Sequence, residues 1–401
     1  MTASIPMQAP PSDGALLPVY RRQPIELVSG DGVELVDADG RRYLDFVSGI
    51  AVNALGYGDE GVRRAMQDAM ESGLLHVSNL YHTAPARRLA EALVQRSFAS
   101  SVFFCNSGAE ANEGAFKFAR RWARTVGGGG AAKHEIIALR GSFHGRLFAS
   151  LAATDRPQFR APFRPLAGGV SIVERDLDEL ARVLDAETVA AVIVEPVQGE
   201  GGVRVLSAEL LGAIRRLTSE RSIALIFDEI QCGLGRTGTF LACEASGIEP
   251  DLLTLAKPLA GGLPMGAVLL APAIAAAVQP GDHATTFGGG PFVASVALHV
   301  VERLADPALL AGVRANGAYL GGALRDLAER TGRIRCVRGQ GLLWGIDVVQ
   351  PAGEIVARAR ELGLLVCTAG DHTVRLIPPL IIAREDLARG VAVLEDALCK
   401  A

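Results

Sequence analysis

Two residues in this sequence have types and positions suited to covalent chemistry. The stretch IALIFDEIQ (223–231) is an apolar run that stops at Asp228 and Glu229, and DLLTLAKPLAGGLPMGA (251–267) opens with another that ends at Lys257. Short apolar runs bounded by polar and glycine-rich residues read as buried strands of a parallel sheet. In such sheets ligands bind outside the carboxyl ends of the strands, so an acid ending one strand and a lysine ending a later one can converge on one ligand. Desolvation disfavours the charged form of a lysine in that place and leaves free amine to form a Schiff base with a carbonyl. A buried aspartate is costly unless a cation faces it. Pyridoxal phosphate offers both partners: an aldehyde for the lysine, and a ring nitrogen whose protonated form pairs with the aspartate and lets the ring accept electrons from a breaking C–H bond. An ion pair between Asp228 and Lys257 at the edge of an unrelated α/β core accounts for the two residues equally well.

Other segments carry groups that such a site needs. VFFC (102–105) reads as a strand running into Asn106-Ser107-Gly108, after which Ala111, Ala115, Phe118, Ala119 and Trp122 fall at helical spacing. Strand, small polar turn and helix N-terminus form a phosphate cradle, because free N–H groups and the positive end of the dipole face the anion. A plain N-cap in a βα unit has the same pattern. HEIIALRGSFHGR (134–146) reads as a strand and a loop with Phe143, His144 and Arg146 at its tip. An aromatic face suits a flat ring and an arginine fork suits a carboxylate, though a solvated charged loop would look alike. AAVIVEPVQGEGG (190–202) repeats the apolar strand ending in an acid, Glu195, and continues with Gln198 and Glu200 among three glycines. Backbone without side chains there can approach a ligand closely. HATTFGGGPF (283–292) is a second threonine- and glycine-rich anion-binding segment.

The elements that must position these groups are also legible. Residues 1–18 are proline-rich and read as a loose arm; 34–58 alternate around Asp39-Gly40, a hairpin signal. Residues 60–71 and 84–97 have helical spacing, with Pro85 opening the second, and VGGGG (126–130) reads as a loop. After about residue 295 the texture changes to helices (295–329), strand-like runs and a final helix ending near Lys400. This predicts an arm and hairpin over 1–60 that joins a small domain, a large ligand-binding domain over 61–294, and a small C-terminal domain over 295–401. A chain of 401 residues exceeds a typical single domain, consistent with that division.

Composition excludes several function classes. The 40 basic and 44 acidic residues are intermixed, with no basic patch for nucleic acid or an anionic membrane. Six cysteines are scattered without a CxxC pair or Cys/His cluster, so neither zinc nor a disulfide framework is expected. The N-terminus lacks a secretory pattern, and the longest apolar stretch, 266–278, contains Pro272 and is too short to span a bilayer. A soluble, cytoplasmic protein is expected.

NSGAEANE, FHGR, VEPVQGEGG, FDEIQCGLGRTG, the lysine segment, TTFGG and VRLIPP, in this order from about Pro18 onward, resemble the class III, ornithine-type aminotransferases, and among them the acetylornithine branch. The resemblance implies a pyridoxal-phosphate transferase of fold type I: a large domain with a mostly parallel seven-stranded sheet flanked by helices, and a smaller α+β domain. It implies that Lys257 holds the cofactor and then shuttles protons, that Asp228 pairs with the ring nitrogen, and that Gln231 lies near the ring's phenolic oxygen. Phe143 would stack on the ring, with His144 also at the cofactor; Ser107, Gly108 and Ala109 would donate to the phosphate, helped by Thr286 from a partner subunit. A homodimer with shared sites follows from that last contact. Arg146 would bind the α-carboxylate of an N-acylated ornithine, Arg375 that of 2-oxoglutarate or glutamate, and Glu200 would pair with Arg375 when the donor's reacting end carries no carboxylate. The sequence departs from the family pattern at Pro258, where glycine is common, at Cys232, where threonine is common, and in the GGGP run after Thr286.

Overall fold

The computed structural model describes residues 14–126 and 133–399. Residues 1–13 of the expected arm and the 127–130 part of the glycine run lie outside them. Before the main sheet come β1 (Leu27–Asp31), β2 (Glu34–Asp37) and β3 (Arg42–Asp45), joined in antiparallel fashion, the β2–β3 turn falling at Asp39-Gly40 as the sequence predicts. The main sheet has seven strands: β4 (Ser101–Cys105), β5 (Glu135–Leu139), β6 (Val170–Val173), β7 (Val189–Val194), and, after the short hairpin β8 (Val197–Gln198) and β9 (Arg204–Val205), β10 (Ala224–Asp228), β11 (Leu252–Leu255) and β12 (Gly266–Leu270). Their spatial order is β4-β12-β11-β10-β7-β5-β6. Only β12 runs against its neighbours; the other strands are mutually parallel.

Strands β7, β10, β11 and β12 are buried at every residue, as their continuous apolar composition requires of strands covered on both faces. Alternation still sorts them. Ile137, Val192, Leu225, Phe227, Leu253 and Leu269 join the larger core, while Ala138, Ile193, Ile226, Leu252 and Val268 pack with Ala111, Ala115, Phe118 and Ala119 of the Gly108–Val126 helix. Asp228 and Thr254 continue the second face, so both point toward that helix.

Because the sheet is mainly parallel, the carboxyl ends of β4, β5, β7, β10 and β11 lie along one edge, and the loops leaving them carry Ser107, Phe143, Glu195, Ile230 and Lys257 respectively. The antiparallel β12 begins at that same edge, which brings in Leu263, Pro264 and Met265 ahead of it. Lys257 does not end its strand as the sequence suggests. Strand β11 stops at Leu255, and Lys257 opens a short 3-10 turn, Lys257–Ala260, because Pro258 has no N–H to continue a ladder.

The C-terminal part contains β13 (Ile334–Gln340), β14 (Leu343–Val348), β15 (Leu364–Leu365), β16 (Cys367–Thr368) and β17 (Thr373–Leu376). An antiparallel sheet forms in the order β13-β14-β17-β16, while β15 pairs in parallel with β3 and so ties the N-terminal strands to this region. Helices Pro307–Thr331, Ala352–Glu361 and Arg384–Cys399 cover it; the sequence reading assigns no element to the Ala352–Glu361 helix or to β1. Helix Pro291–Leu304 packs on the Glu60–Glu71 and Ala84–Val94 helices. Among the described residues no helix is long and apolar enough to cross a membrane.

Candidate active site

A cavity of about 420 Å³ opens at the carboxyl edge of the main sheet, lined by Ser107, Gly108, Ala109, Phe143, His144, Arg146, Glu195, Glu200, Asp228, Gln231 and Lys257 among others. Its volume is that of a small-molecule site. Arg375 is fully buried just behind Glu200 and Gln231. Thr286 is exposed and does not line the cavity of its own chain.

The helix N-terminus at Gly108 faces the cavity at one end. Ser107 caps this helix, its Oγ accepting from Glu110 N at 3.2 Å, and Glu110 reciprocates by accepting from Asn106 N at 2.9 Å. A Cβ on Gly108 would come within 2.8 Å of Ile230, so the close approach of helix and loop needs glycine here.

Asp228 is fixed by neighbours on the face that strand alternation assigns to it. Asn112 Nδ2 donates to Asp228 Oδ2 at 2.8 Å and to the His144 carbonyl at 2.8 Å, and Asn112 Oδ1 accepts from Thr254 Oγ1 at 2.9 Å. His144 Nδ1 lies 2.7 Å from the same Asp228 oxygen. An ionised carboxylate only accepts, so Nδ1 carries the hydrogen. Ile230 N donates to the other oxygen, Oδ1, at 3.1 Å. The sequence reading overlooks Asn112, although an asparagine beside Ala111 and Ala115 in an apolar helix stripe is a legible signal of a buried polar partner. Asn112→Ala is expected to lower stability by about 1–3 kcal/mol, because Asp228 and Thr254 would keep their burial and lose a partner. Urea unfolding of the variant against the native protein reads this directly; an unchanged midpoint would contradict the role assigned to Asn112.

Lys257 is half-buried, with its backbone in the left-handed region at φ 25°. Such conformations persist in side-chain-bearing residues only where the surroundings enforce them. Burial pushes its amine below the usual lysine value, against the opposing pull of Asp228 and Glu200. Burial likewise raises Glu195, whose Oε1 accepts from Phe143 N at 2.9 Å; His144 works against that shift and Asp228 adds to it. The cavity therefore joins a lysine biased toward free amine to a carboxylate fully engaged by fixed donors.

Glu200 Oε1 meets Arg375 Nη2 at 2.6 Å, and Arg375 Nη1 donates to Gln231 Oε1 at 3.0 Å. Burial opposes the charge on Arg375, but the adjacent Cys367 and Glu200 outweigh it and raise its pKa. Gln231, expected near a ring oxygen, thus spends its carbonyl on Arg375. A Cβ at Gly199 would lie 1.6 Å from that carbonyl, so the first glycine of the loop makes room for it. Arg146 is exposed, its guanidinium 3.5 Å from the centre of the Phe159 ring and 5.8 Å from that of Phe143. No local sequence pattern brings Phe159 together with Phe143 and Arg146, so its place under the guanidinium is visible only in the structure. The Cys232 thiol is buried, with Sγ 3.8 Å from the Asp228 carbonyl oxygen.

A mainly parallel sheet with a lysine, an engaged aspartate and a helix N-terminus around one cavity defines a class, and the chain belongs to the class-III aminotransferase family, which it matches over residues 18–398. It is an enzyme of that class. Among its relatives, the acetylornithine aminotransferase of Gloeobacter violaceus is 45% identical over 385 residues, covering 95% of each chain. The N-acetylornithine aminotransferase structure from Stenotrophomonas maltophilia K279a superposes with a TM-score of 0.83 at 37% identity, over 94% of this chain and 96% of that one. The ornithine aminotransferase of Toxoplasma gondii ME49 gives a TM-score of 0.92 at 28% identity, over 96% and 92%.

Proposed function

We propose that this enzyme transfers the ω-amino group of N-acetylornithine to 2-oxoglutarate, yielding N-acetylglutamate 5-semialdehyde and glutamate, with pyridoxal 5'-phosphate as cofactor. The cavity fits that cofactor. Ser107, Gly108 and Ala109 at the helix N-terminus would hold its phosphate, Phe143 one face of its ring, Asp228 its nitrogen and Lys257 its aldehyde carbon, with His144 backing Asp228. When bound, the cofactor supplies a conjugated ring that takes up the electron pair of the C–H bond next to the transferred nitrogen. The chain supplies the rest. The Lys257 amine, biased toward its free form by burial, would take that proton and return it one position away. Asp228, held by Asn112 and His144, would face the ring nitrogen and favour its protonated form.

The observation that carries the reading is the 2.6 Å ion pair between Glu200 and Arg375. One pocket must accept both the uncharged chain beside an ω-amine and the α-carboxylate of 2-oxoglutarate. An arginine that Glu200 neutralises in the first case and releases in the second avoids a buried unpaired charge in either. Arg146, at the mouth and stacked on Phe159, is the residue for the α-carboxylate of the donor. The N-acetyl group is the one named for the acetylornithine aminotransferases that this chain is similar to. Thr286 would reach the phosphate of a second subunit, making the enzyme a homodimer that works in the cytoplasm.

Comparing kcat/KM for N-acetylornithine, N-succinylornithine, ornithine and 4-aminobutyrate, each with 2-oxoglutarate, tests the assignment. N-acetylornithine should lead the series. A clear preference for ornithine or 4-aminobutyrate would refute the substrate and leave the reaction class standing.

A further inference from the structure

The turn of the β8–β9 hairpin, residues 199–203, carries Glu200, yet its own sequence gives it little stiffness. It contains Gly199, Gly201 and Gly202, and its last residue, Val203, is fully buried with φ at 54°. A β-branched residue in that region is an outlier that surrounding contacts must hold in place. The contacts are specific. The three successive carbonyls of Glu200, Gly201 and Gly202 each accept from an arginine: Arg156 Nη2, Arg204 Nε at 3.0 Å, and Arg338 Nε at 2.5 Å.

Arg338 is the one of these that belongs to the C-terminal sheet. Its guanidinium is fixed by a two-pronged contact with Asp347, 2.6 Å on each side, and by Thr373 Oγ1 at 3.2 Å, while Thr373 also donates to Asp347 at 2.5 Å. Register explains the geometry. Arg338 on β13 is paired with Gly345 on β14, and Gly345 is paired with Arg375 on β17. Directly paired residues of antiparallel strands share a face, so the two arginines flank a side-chain-free position. Val203 sits on that position: a Cβ at Gly345 would lie 2.9 Å from it. The turn is thus seated on the sheet between the arginines, its Gly202 carbonyl on Arg338 and its Glu200 carboxylate on Arg375.

From this the geometry points to Arg338, braced by Asp347 and Thr373, as a positioning residue that sets how readily Glu200 neutralises Arg375, and so sets the balance between the two half-reactions. The inference rests on the reading of Glu200 and Arg375 given above. Arg338 does not line the cavity; it acts through the hairpin turn. Loosening it frees Glu200 from Arg375. The ω-amine donor then meets an unneutralised arginine and binds worse, whereas a dicarboxylate no longer has to displace Glu200 and binds as well or better.

Arg338→Met should raise KM for the amino donor about tenfold, the scale of one charged hydrogen bond, while KM for 2-oxoglutarate stays level or falls. Asp347→Asn should shift both in the same directions by less. In the Glu200→Gln background, Arg338→Met should add little further to the donor KM, because the two changes act on one contact. Calorimetric binding of glutarate to Arg338→Met, which needs no turnover, should be as tight as in the native protein or tighter. A proportional loss with both substrates, full additivity with Glu200→Gln, or weakened glutarate binding would each overturn the inference. Failure of the native enzyme to use any ω-amine donor would instead strike the proposed function, and the glutarate comparison would still decide the role of Arg338.

Discussion

Lys257→Ala should abolish turnover: loss of the proton-transferring amine alone is expected to lower kcat by roughly 10²–10⁴-fold, and loss of its bond to the cofactor lowers it further. The reason lies in where the amine sits. It enters the cavity that also holds the engaged Asp228 carboxylate and the helix N-terminus, and burial keeps it below the usual lysine value. Among the described residues no other lysine lines this cavity. The substitution removes one side chain from a half-buried position and leaves the Asn112–Asp228–His144 contacts in place, so the fold should survive. Borohydride reduction followed by peptide mass analysis gives an independent readout. The native protein should carry the added cofactor mass on the peptide containing Lys257, and the variant should carry none. Appreciable transamination by the variant would remove Lys257 from its assigned role.

Arg375→Ala should raise KM for 2-oxoglutarate far more than KM for the amino donor. A carboxylate that loses a buried, hydrogen-bonded arginine forfeits about 2–5 kcal/mol, or roughly 30-fold to several thousand-fold in affinity. The donor should suffer much less, since Glu200 is already meant to cancel Arg375 when the donor is bound, and Glu200 is 29% exposed and can turn to water once its partner is gone. Steady-state kinetics with each substrate varied at saturating levels of the other measures the split. Equal increases in the two KM values would refute the division of labour between Arg375 and Arg146.

Much of this site can be read from sequence because its residues close apolar runs. A buried strand must be apolar, so the acid that ends it stands out, as Asp228 does after Leu225, Ile226 and Phe227 and Glu195 does after Val192, Ile193 and Val194. The parallel sheet then gathers such ends at one edge without further information. What stays hidden are contacts made across the chain. Asn112 meets Asp228 only because strand alternation turns Asp228 toward the Gly108–Val126 helix; its place in an apolar stripe signals a buried polar partner, but nothing near residue 112 says which one. Phe159 under Arg146 and Arg338 against Gly202 join segments whose relative placement no local pattern specifies. Pro258 shows the limit of periodicity in another way: it ends β11 before Lys257, and the lysine reaches the cavity from a 3-10 turn with a left-handed backbone. The Ala352–Glu361 helix is amphipathic but short, and the strands around it draw attention first.

In the proposed reaction one cavity accepts an amino group from N-acetylornithine and passes it to 2-oxoglutarate. The most direct test is the absorption spectrum of the protein loaded with pyridoxal 5'-phosphate, titrated first with N-acetylornithine alone and then with 2-oxoglutarate. The visible band of the lysine-bound cofactor should disappear in the first step and return in the second, with semialdehyde and glutamate formed in equal amounts. A band that N-acetylornithine leaves unchanged, or that 2-oxoglutarate fails to restore, would contradict that proposal.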